Sequence, residues 1–339
     1  MRKKYIFLIV GIILVVIATG ITGIITVMNH PFRIEKNTYL YIDADDNTDS
    51  ICHKLTTQLQ ASSLKGFKLL TTVGGLDPIH PGAYRFSQSD NCLAVYRRLK
   101  SGAQTPVNLT LPSVRTVGKL LKTVSHQLMT DSSNLARLLM DSTYCAQIGY
   151  STETLPCLFI PNTYEVYWTM TPEAFVKRMQ KEHDRFWNEE RKAKAQSIGL
   201  TPEEVATLAS IVEEETANNA EKPMVAGLYI NRLHADMPLQ ADPTVKFALQ
   251  DFGLRRILHT HLETDSPYNT YKHTGLPPGP IRIPSIQGIE SVLNYTRHNY
   301  LYMCAKEDFS GTHNFAATFT QLLANARKYQ QELNRRKIK

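Results

Sequence analysis

The sequence predicts an α+β protein in three parts: a single N-terminal transmembrane helix, a small α+β module and a larger α+β domain. Three observations predict this. Residues 5–28 contain no charged side chain and are dominated by Ile, Val and Leu. Residues 29–105 hold two short strand–helix cycles. From residue 106 helical patterns dominate, interrupted at 239–284 by a stretch rich in Pro, Gly, Asp, Asn and Tyr.

At about 1.5 Å per residue, segment 5–28 is long enough to cross a hydrocarbon core of roughly 30 Å. Arg2, Lys3 and Lys4, in the short tail 1–4, stay cytoplasmic by the positive-inside rule, which places everything after Met28 outside. The competing reading is a cleaved signal peptide with 5–17 as its apolar core and a cleavage site near Ala18-Thr19-Gly20. Apolar character resuming at 21–27 favours the uncleaved anchor. The formal charge of +7 is terminal: Arg2, Lys3 and Lys4 with Arg335, Arg336, Lys337 and Lys339 account for all of it. The body between them is nearly neutral, which argues against nucleic acid as a partner.

After a polar connector at 29–37, Thr38-Tyr-Leu-Tyr-Ile42 reads as a strand, and Ile51, Leu55 and Leu59 fall at helical spacing. Residues 67–73 read as a second strand, Ala83-Tyr-Arg-Phe86 as extended, and Ser87–Asp90 as caps for a helix carrying Leu93, Tyr96 and Leu99 that Gly102 stops. Val107-Asn-Leu-Thr-Leu111 alternates like a strand. Pro112-Ser113 opens a helix through Leu120, Leu121 and Val124, and 130–148 is helical again. Residues 171–194 form one long charged helix with Phe175, Met179 and Phe186 inward, and Pro202 starts the next. A loop-rich stretch as long as 239–284 inside a folded domain is usually functional.

The helix after Pro202 carries the chemistry. Val205, Leu208, Val212 and Glu215 follow one face, so Glu215 extends an apolar stripe that packs inward. Glu213 falls on the Ala206/Ala209/Ser210 side and Glu214 toward solvent. A carboxyl at the end of an apolar stripe loses hydration, and its pKa rises. A general acid at neutral pH needs that, since an ordinary Glu titrates near about 4.3. A half-buried Glu bonded to a backbone amide or an Arg fits the same pattern.

Elsewhere the signals are weaker. His259-Thr-His261 has a spacing compatible with metal ligation on a strand, but no further ligand stands at a telling distance, so no metal is expected. Gly275-Leu-Pro-Pro-Gly-Pro280 has too many prolines for a phosphate loop, because proline lacks the amide donor, and reads as a rigid cleft wall. No Ser or Cys sits in a nucleophile elbow. The five cysteines are dispersed without CxxC spacing and read as buried free thiols, with a Cys145–Cys157 bridge the one alternative.

Several blocks together resemble a known family. Leu208-Ala-Ser-Ile-Val-Glu-Glu-Glu-Thr216, Val225-Ala-Gly-Leu-Tyr-Ile-Asn-Arg-Leu233 and Met237-Pro-Leu-Gln-Ala-Asp-Pro-Thr-Val245 are similar to the endolytic murein transglycosylases (MltG, YceG-like). Ser266-Pro-Tyr-Asn-Thr-Tyr271, Gly275–Ile281, Tyr300-Leu-Tyr302 and His313-Asn-Phe315 continue in order. Pro81–Phe86 and Phe159–Tyr164 match upstream.

The resemblance implies a LysM-like module at 29–105 and a catalytic domain at 106–339. The enzyme would cut MurNAc–GlcNAc bonds inside nascent peptidoglycan strands and leave 1,6-anhydroMurNAc ends. The family's catalytic glutamate directly precedes Thr in its block, which is Glu215 here; Glu213 is the runner-up. Asn231, Gln240, Asp242, Tyr268, Asn269, Thr270 and Tyr271 fall in signature blocks and are expected to line the sugar cleft. No cofactor is implied. Penicillin-binding synthases are the expected protein partners, and the inner (plasma) membrane, with the catalytic domain outside the cytoplasm, is the expected location. A muramidase-type hydrolase using Asp242, or a non-catalytic glycan-binding scaffold, are the alternatives. The sequence departs from the family at Pro156-Cys157, where Glu-Gly is expected, at Asn162, where an acid is expected, and at Leu322, where a His is expected.

Overall fold

The computed structural model describes residues 2–29, 31, 37–59, 64–254 and 256–336. Most of the connector at 29–37, and the terminal charges Lys337 and Lys339, lie outside the described residues. The chain divides into two compact units. One comprises 1–109 with the short returns 127–129 and 164–170, and the other comprises 110–126, 130–163 and 171–339.

The first unit begins with helix α1 (Arg2–Met28). Its segment Lys4–Met28 is long and apolar enough to cross a membrane, with none of its most apolar window buried in the protein. Thr19, Thr22 and Thr26 return their hydroxyls to the carbonyls of Val15, Ala18 and Thr22 at 2.8–2.9 Å, which satisfies these polar groups inside the helix.

Strand β1 (Thr38–Ile42), helices α2 (Thr48–Thr57) and α3 (Lys65–Gly74), strand β2 (Gly82–Phe86) and helix α4 (Cys92–Ser101) follow. β1 and β2 pair antiparallel from Thr38↔Phe86 to Ile42↔Gly82. Leu40, Ile42, Ile51, Leu55, Phe67, Tyr84, Phe86, Val95 and Leu99 form the unit's core. The strand expected at 67–73 is helix α3 instead. Leu64, Phe67 and Leu70 pack on that core at a spacing of three, and this packing overrides the β-formers in the segment. α4 is capped by Asn91, which accepts the Ala94 amide at 2.8 Å, and Asp90 serves Arg98 instead. It buries Cys92, Val95 and Leu99, and Gly102 ends it at φ 65°, where other residues are strained.

β3 (Val107–Thr110) pairs with β4 (Thr163–Val166). Between them lie α5 (Val117–Ser125), α6 (Ser132–Leu139), α7 (Ser142–Gln147) and a 3-10 turn at Leu155–Leu158. α5 begins four residues later than Pro112-Ser113 suggested, because Thr116 is its cap. The Ser113 hydroxyl instead donates to the Ile283 carbonyl at 2.7 Å. The long helix expected at 171–194 is two, α8 (Pro172–Phe186) and α9 (Glu189–Ser197). Trp187 leaves the helical conformation and Asn188 caps the second helix through the Arg191 amide.

The second unit is organised around α10 (Pro202–Glu215), α11 (Lys222–His234) and α14 (Ile286–Leu293). Thr201 and Glu204 form a reciprocal capping box, Pro202 occupies the first turn, and Glu203 and Glu204 complement the helix dipole. Val205, Leu208, Ile211 and Val212 pack against Val225, Leu228, Tyr229, Ile289 and Val292. Gly227 allows the close approach of the Thr296 carbonyl, which a Cβ there would meet at 2.3 Å. Among its described residues, the loop-rich stretch carries α12 (Asp242–Leu249) and the short α13 (His259–Leu262). The hairpin of β5 (Tyr302–Ala305) and β6 (His313–Ala316), then α15 (Phe319–Arg335), complete the unit. All five cysteines are free, and Cys52, Cys92, Cys145 and Cys157 are buried.

Candidate active site

α10 ends at Glu215 because Thr216 turns to extended backbone at φ −138°. The carboxyl therefore stands at the helix C-terminus, where the dipole disfavours negative charge. It faces an open cleft of about 230 Å3. Tyr229 and Arg232 from α11, Gln240 and Asp242 at the start of α12, and Tyr271 form one side. Met303, Cys304, Ala305 and His313 of the β5–β6 hairpin form another. The volume falls short of the roughly 300–1,000 Å3 of pockets for drug-sized ligands.

Glu215 Oε2 is buried and has no hydrogen-bond partner among the described residues. Burial pushes the Glu215 pKa up from 4.5 to about 7. The Asp242 charge pushes the same way, while His313, a hydrogen bond from Tyr229 and Lys246 oppose it. A carboxyl in this state is substantially protonated at neutral pH and can donate. Asp242 lies in the first turn of α12, where a negative charge is favoured, and accepts the Tyr271 hydroxyl at 2.6 Å. Burial and that bond raise the Tyr271 pKa.

Arg232 is pinned by its donors to Leu301 O at 2.6 Å, Pro238 O and Leu239 O at 3.0 Å, and Gln240 Oε1 at 3.2 Å. Burial lowers its pKa. Gln240 sits at φ 52°, a left-handed conformation that costs a non-glycine residue on the order of 1 kcal/mol. Its amide donates to the Thr270 carbonyl at 3.0 Å, which holds it there.

Of the residues the sequence singled out, Glu215, Gln240, Asp242 and Tyr271 line this cleft. Asn231, Tyr268, Asn269 and Thr270 do not, because their polar atoms or rings are engaged by the protein. Asn231 Nδ2 donates to the carbonyls of His298 at 2.8 Å and Tyr300 at 3.0 Å. Asn269 Nδ2 donates to those of Leu262 and Thr264, both at 2.8 Å. Thr270 Oγ1 accepts the Ala241 amide at 3.0 Å and meets the Thr244 hydroxyl at 2.8 Å. Tyr268 packs its ring on Phe247, centroids 4.7 Å apart, and burial takes its pKa up to about 12. These four shape the loops that carry the lining.

Glu213 is also off the lining: its Oε2 accepts the Ser285 amide at 2.8 Å, and Lys222 Nζ lies 3.8 Å from Oε1. Glu214 does not face solvent as its helical phase suggested. Arg115 grips it with two bonds of 2.8 Å and Arg282 with one of 2.9 Å. His259 and His261 lie on a helical turn rather than a strand, and His261 Nδ1 accepts the Leu258 amide at 3.1 Å.

Sequence reasoning passed over Tyr229, Arg232 and the hairpin wall. Tyr229 and Arg232 stand three apart on α11, and that spacing is the signal that would have found them. The hairpin's signal was the family block His313-Asn-Phe315, to which no role was given; β5 and β6, four residues each and half-buried, left no periodic one.

A half-buried carboxyl with one oxygen fully buried, at a helix end and in a cleft walled by a tyrosine, an arginine and a hairpin histidine, defines the class: an α+β protein with a glutamic acid poised to give a proton. The chain belongs to the YceG-like family, whose model matches residues 40–328. It is similar to proteins named endolytic murein transglycosylase. That of Streptococcus pneumoniae serotype 2 (strain D39 / NCTC 7466) is 28% identical over 323 residues, covering 85% of this chain and 58% of the relative. That of Bacillus subtilis (strain 168) is 28% identical over 262 residues, covering 73% and 72%. The chain thus spans little more than half the length of its pneumococcal relative. The crystal structure of a YceG-like protein of Listeria monocytogenes shares the fold, with a TM-score of 0.58 and 24% identity over 86% of this chain and 99% of that one.

Proposed function

We propose that this chain is an endolytic lytic transglycosylase acting on peptidoglycan, with Glu215 as its general acid. The observation that carries the reading is the Glu215 carboxyl, with one oxygen buried and unpartnered in an open cleft and a pKa of about 7. The names of the relatives supply the substrate class. Protonated Glu215 donates to the glycosidic oxygen between MurNAc and GlcNAc. The muramyl C6 hydroxyl closes on C1, and the carboxylate left on Glu215 is the default acceptor of the hydroxyl proton. No water is consumed, and the product is a 1,6-anhydromuramyl end. Acid–base help of this kind contributes roughly 10²–10⁴ in rate. Gln240, Asp242 and Tyr271, with Tyr229 and Arg232, are proposed to hold the sugar.

The remaining assignments rest on the family resemblance and on α1. α1 anchors the chain with its basic end cytoplasmic and the cleft outside, β1 to α4 act as a LysM-like glycan-binding module, 106–339 is the catalytic domain, and penicillin-binding synthases are the partners. Asp242 in the same cleft supports the second reading, a muramidase-type hydrolase.

The test is mass spectrometry of isolated glycan strands digested by the detergent-solubilised full chain, beside its Glu215→Gln variant. Internal fragments with 1,6-anhydromuramyl ends, lost in the variant, are expected. Reducing ends would assign the hydrolase with Asp242 as second carboxylate. Strands left intact by a well-folded chain would leave a glycan-binding scaffold.

A further inference from the structure

The cleft contains a second group able to move a proton. His313 on β6 lines it with Glu215. Its Nδ1 lies 3.0 Å from Glu221 Oε2, and its amide donates to Glu221 Oε1 at 2.7 Å. Glu221 is only 8% exposed and also accepts the Thr216 hydroxyl at 2.9 Å. Three contacts on one buried carboxylate fix its orientation. A carboxylate facing Nδ1 selects the tautomer with hydrogen on Nδ1 and leaves the Nε2 lone pair free. Thr216 directly follows Glu215, so one carboxylate ties the acid-bearing helix end to the imidazole-bearing strand.

We propose that His313, oriented by Glu221, is the base of this cleft and takes the proton of the hydroxyl that attacks the anomeric carbon. The proposal rests on the transglycosylase reading and replaces Glu215 as the default acceptor. Glu215 gives its proton to the glycosidic oxygen as the C1–O bond breaks with its electron pair. The C6 oxygen forms the new bond to C1, and the C6 proton passes to Nε2. The resulting imidazolium is paired with the Glu221 carboxylate. One proton then returns from the imidazolium to the Glu215 carboxylate, directly or through water, and both groups are reset. Glu221 is a positioning residue in this scheme, in the manner of the carboxylate of a hydroxyl–imidazole–carboxylate triad.

Among the described residues, the following charged and titratable groups share the cleft with His313 or act on groups that line it. Glu215 comes from α10, Glu221 from the cap position before α11, Tyr229 and Arg232 from α11, and Asp242 and Lys246 from α12. Tyr271 comes from its loop, Cys304 from β5, and Glu307 from the hairpin turn, where Asn314 and α15's Lys328 act on it.

The experiment measures anhydromuramyl-end formation against pH by the detergent-solubilised chain, its Glu215→Gln control, and His313→Asn and His313→Gln. Asparagine keeps an amide where Nδ1 stands, retaining the Glu221 contact while removing Nε2. Glutamine keeps an acceptor near Nε2 that cannot take a proton. A wild-type bell is expected, its alkaline limb following ionisation of Glu215 and its acid limb reporting the base of the cleft. Both variants are expected to lose about 10²-fold or more in kcat with KM and Tm close to wild type, and to lose the acid limb. The proposal is overturned if either folded variant stays within about threefold of wild type with an unchanged profile. A wild-type profile flat on its acid side overturns it without any variant. Anhydro ends from wild type and none from Glu215→Gln keep the transglycosylase reading standing whatever His313 does; none from wild type sinks both.

Discussion

Two sides of one helix end treat consecutive glutamates in opposite ways. On the scaffold side, Glu214 is gripped by Arg115 and Arg282, and Glu213 is bonded to the start of α14 and flanked by Lys222. On the cleft side, Glu215 carries a buried oxygen with no partner and a pKa raised to about 7. A buried polar atom left without a partner costs on the order of 1–3 kcal/mol. The folded core around α10 supports that cost at the carboxyl that α10 presents to the cleft. The difference teaches that a satisfied carboxylate holds structure, whereas an unsatisfied one in a cleft is where reactivity lies.

The largest expected effect separates the two sides by activity. Glu215→Gln is expected to lower kcat by roughly 10²–10⁴-fold while leaving the chain folded, because it removes the proton assigned to the leaving oxygen. Glu214→Gln is expected to keep kcat within about tenfold, since its partners are Arg115 and Arg282 rather than substrate. Initial rates of anhydromuramyl-end formation, beside thermal melts, check the pair. Equal losses from both substitutions would break the comparison.

Next in size is the stability of the scaffold side. Arg282 and Glu214 are only 19% and 12% exposed, and Arg282 also donates to the Ser113 hydroxyl at 2.8 Å. Arg282→Ala leaves Glu214 with Arg115 alone and removes the guanidinium's own bonds to Ser113. A loss of about 2–3 kcal/mol is expected, below the roughly 3–5 kcal/mol of a fully buried pair broken from one side. Urea denaturation read as a shift in midpoint at constant slope tests it.

How much of this was legible in the sequence follows the same division. The apolar stripe of α10 and the family blocks pointed to Glu215, and the structure puts it at the cleft. Glu214 was misread because helical phase alone sends it outward. Its burial comes from Arg115 and Arg282, which are 99 and 68 residues away in the chain and leave no local trace. Asn231 and Asn269 are expected in the sugar cleft because they fall in the family's signature blocks. Both instead satisfy loop carbonyls, a demand that only the folded loops create. β1, β2, α10 and the α8 face showed through period and caps. α3 did not, because Phe67 and its neighbours are strand formers that tertiary packing holds in a helix.

A third prediction concerns pH. Glu215 has a folded pKa raised above its ordinary value of 4.5. The native state therefore binds the proton more tightly than the unfolded chain does, and stability falls as pH rises from about 4.5 through about 7. Glu215→Gln removes that loss. The variant is expected to exceed wild type by on the order of 2 kcal/mol at about pH 8, with the gap closing by about pH 5. Equal melting temperatures across the range would show that the carboxyl is hydrated after all, which would weaken the contrast with Glu214.

The smallest effect probes the cleft's second carboxylate. The Asp242 charge helps to raise the Glu215 pKa, so Asp242→Asn should lower it and bring Glu215 ionisation to lower pH. The alkaline limb of kcat is expected to move acidward by roughly half a unit, the size of one partly screened like charge. Peak activity should fall only a fewfold, because Tyr271 loses a charged acceptor but stays in place. If Asp242 were instead the nucleophile or base of a hydrolase, the same substitution would remove nearly all turnover and leave no limb to shift. One pH profile on one variant thus decides whether Asp242 tunes the acid or shares its work.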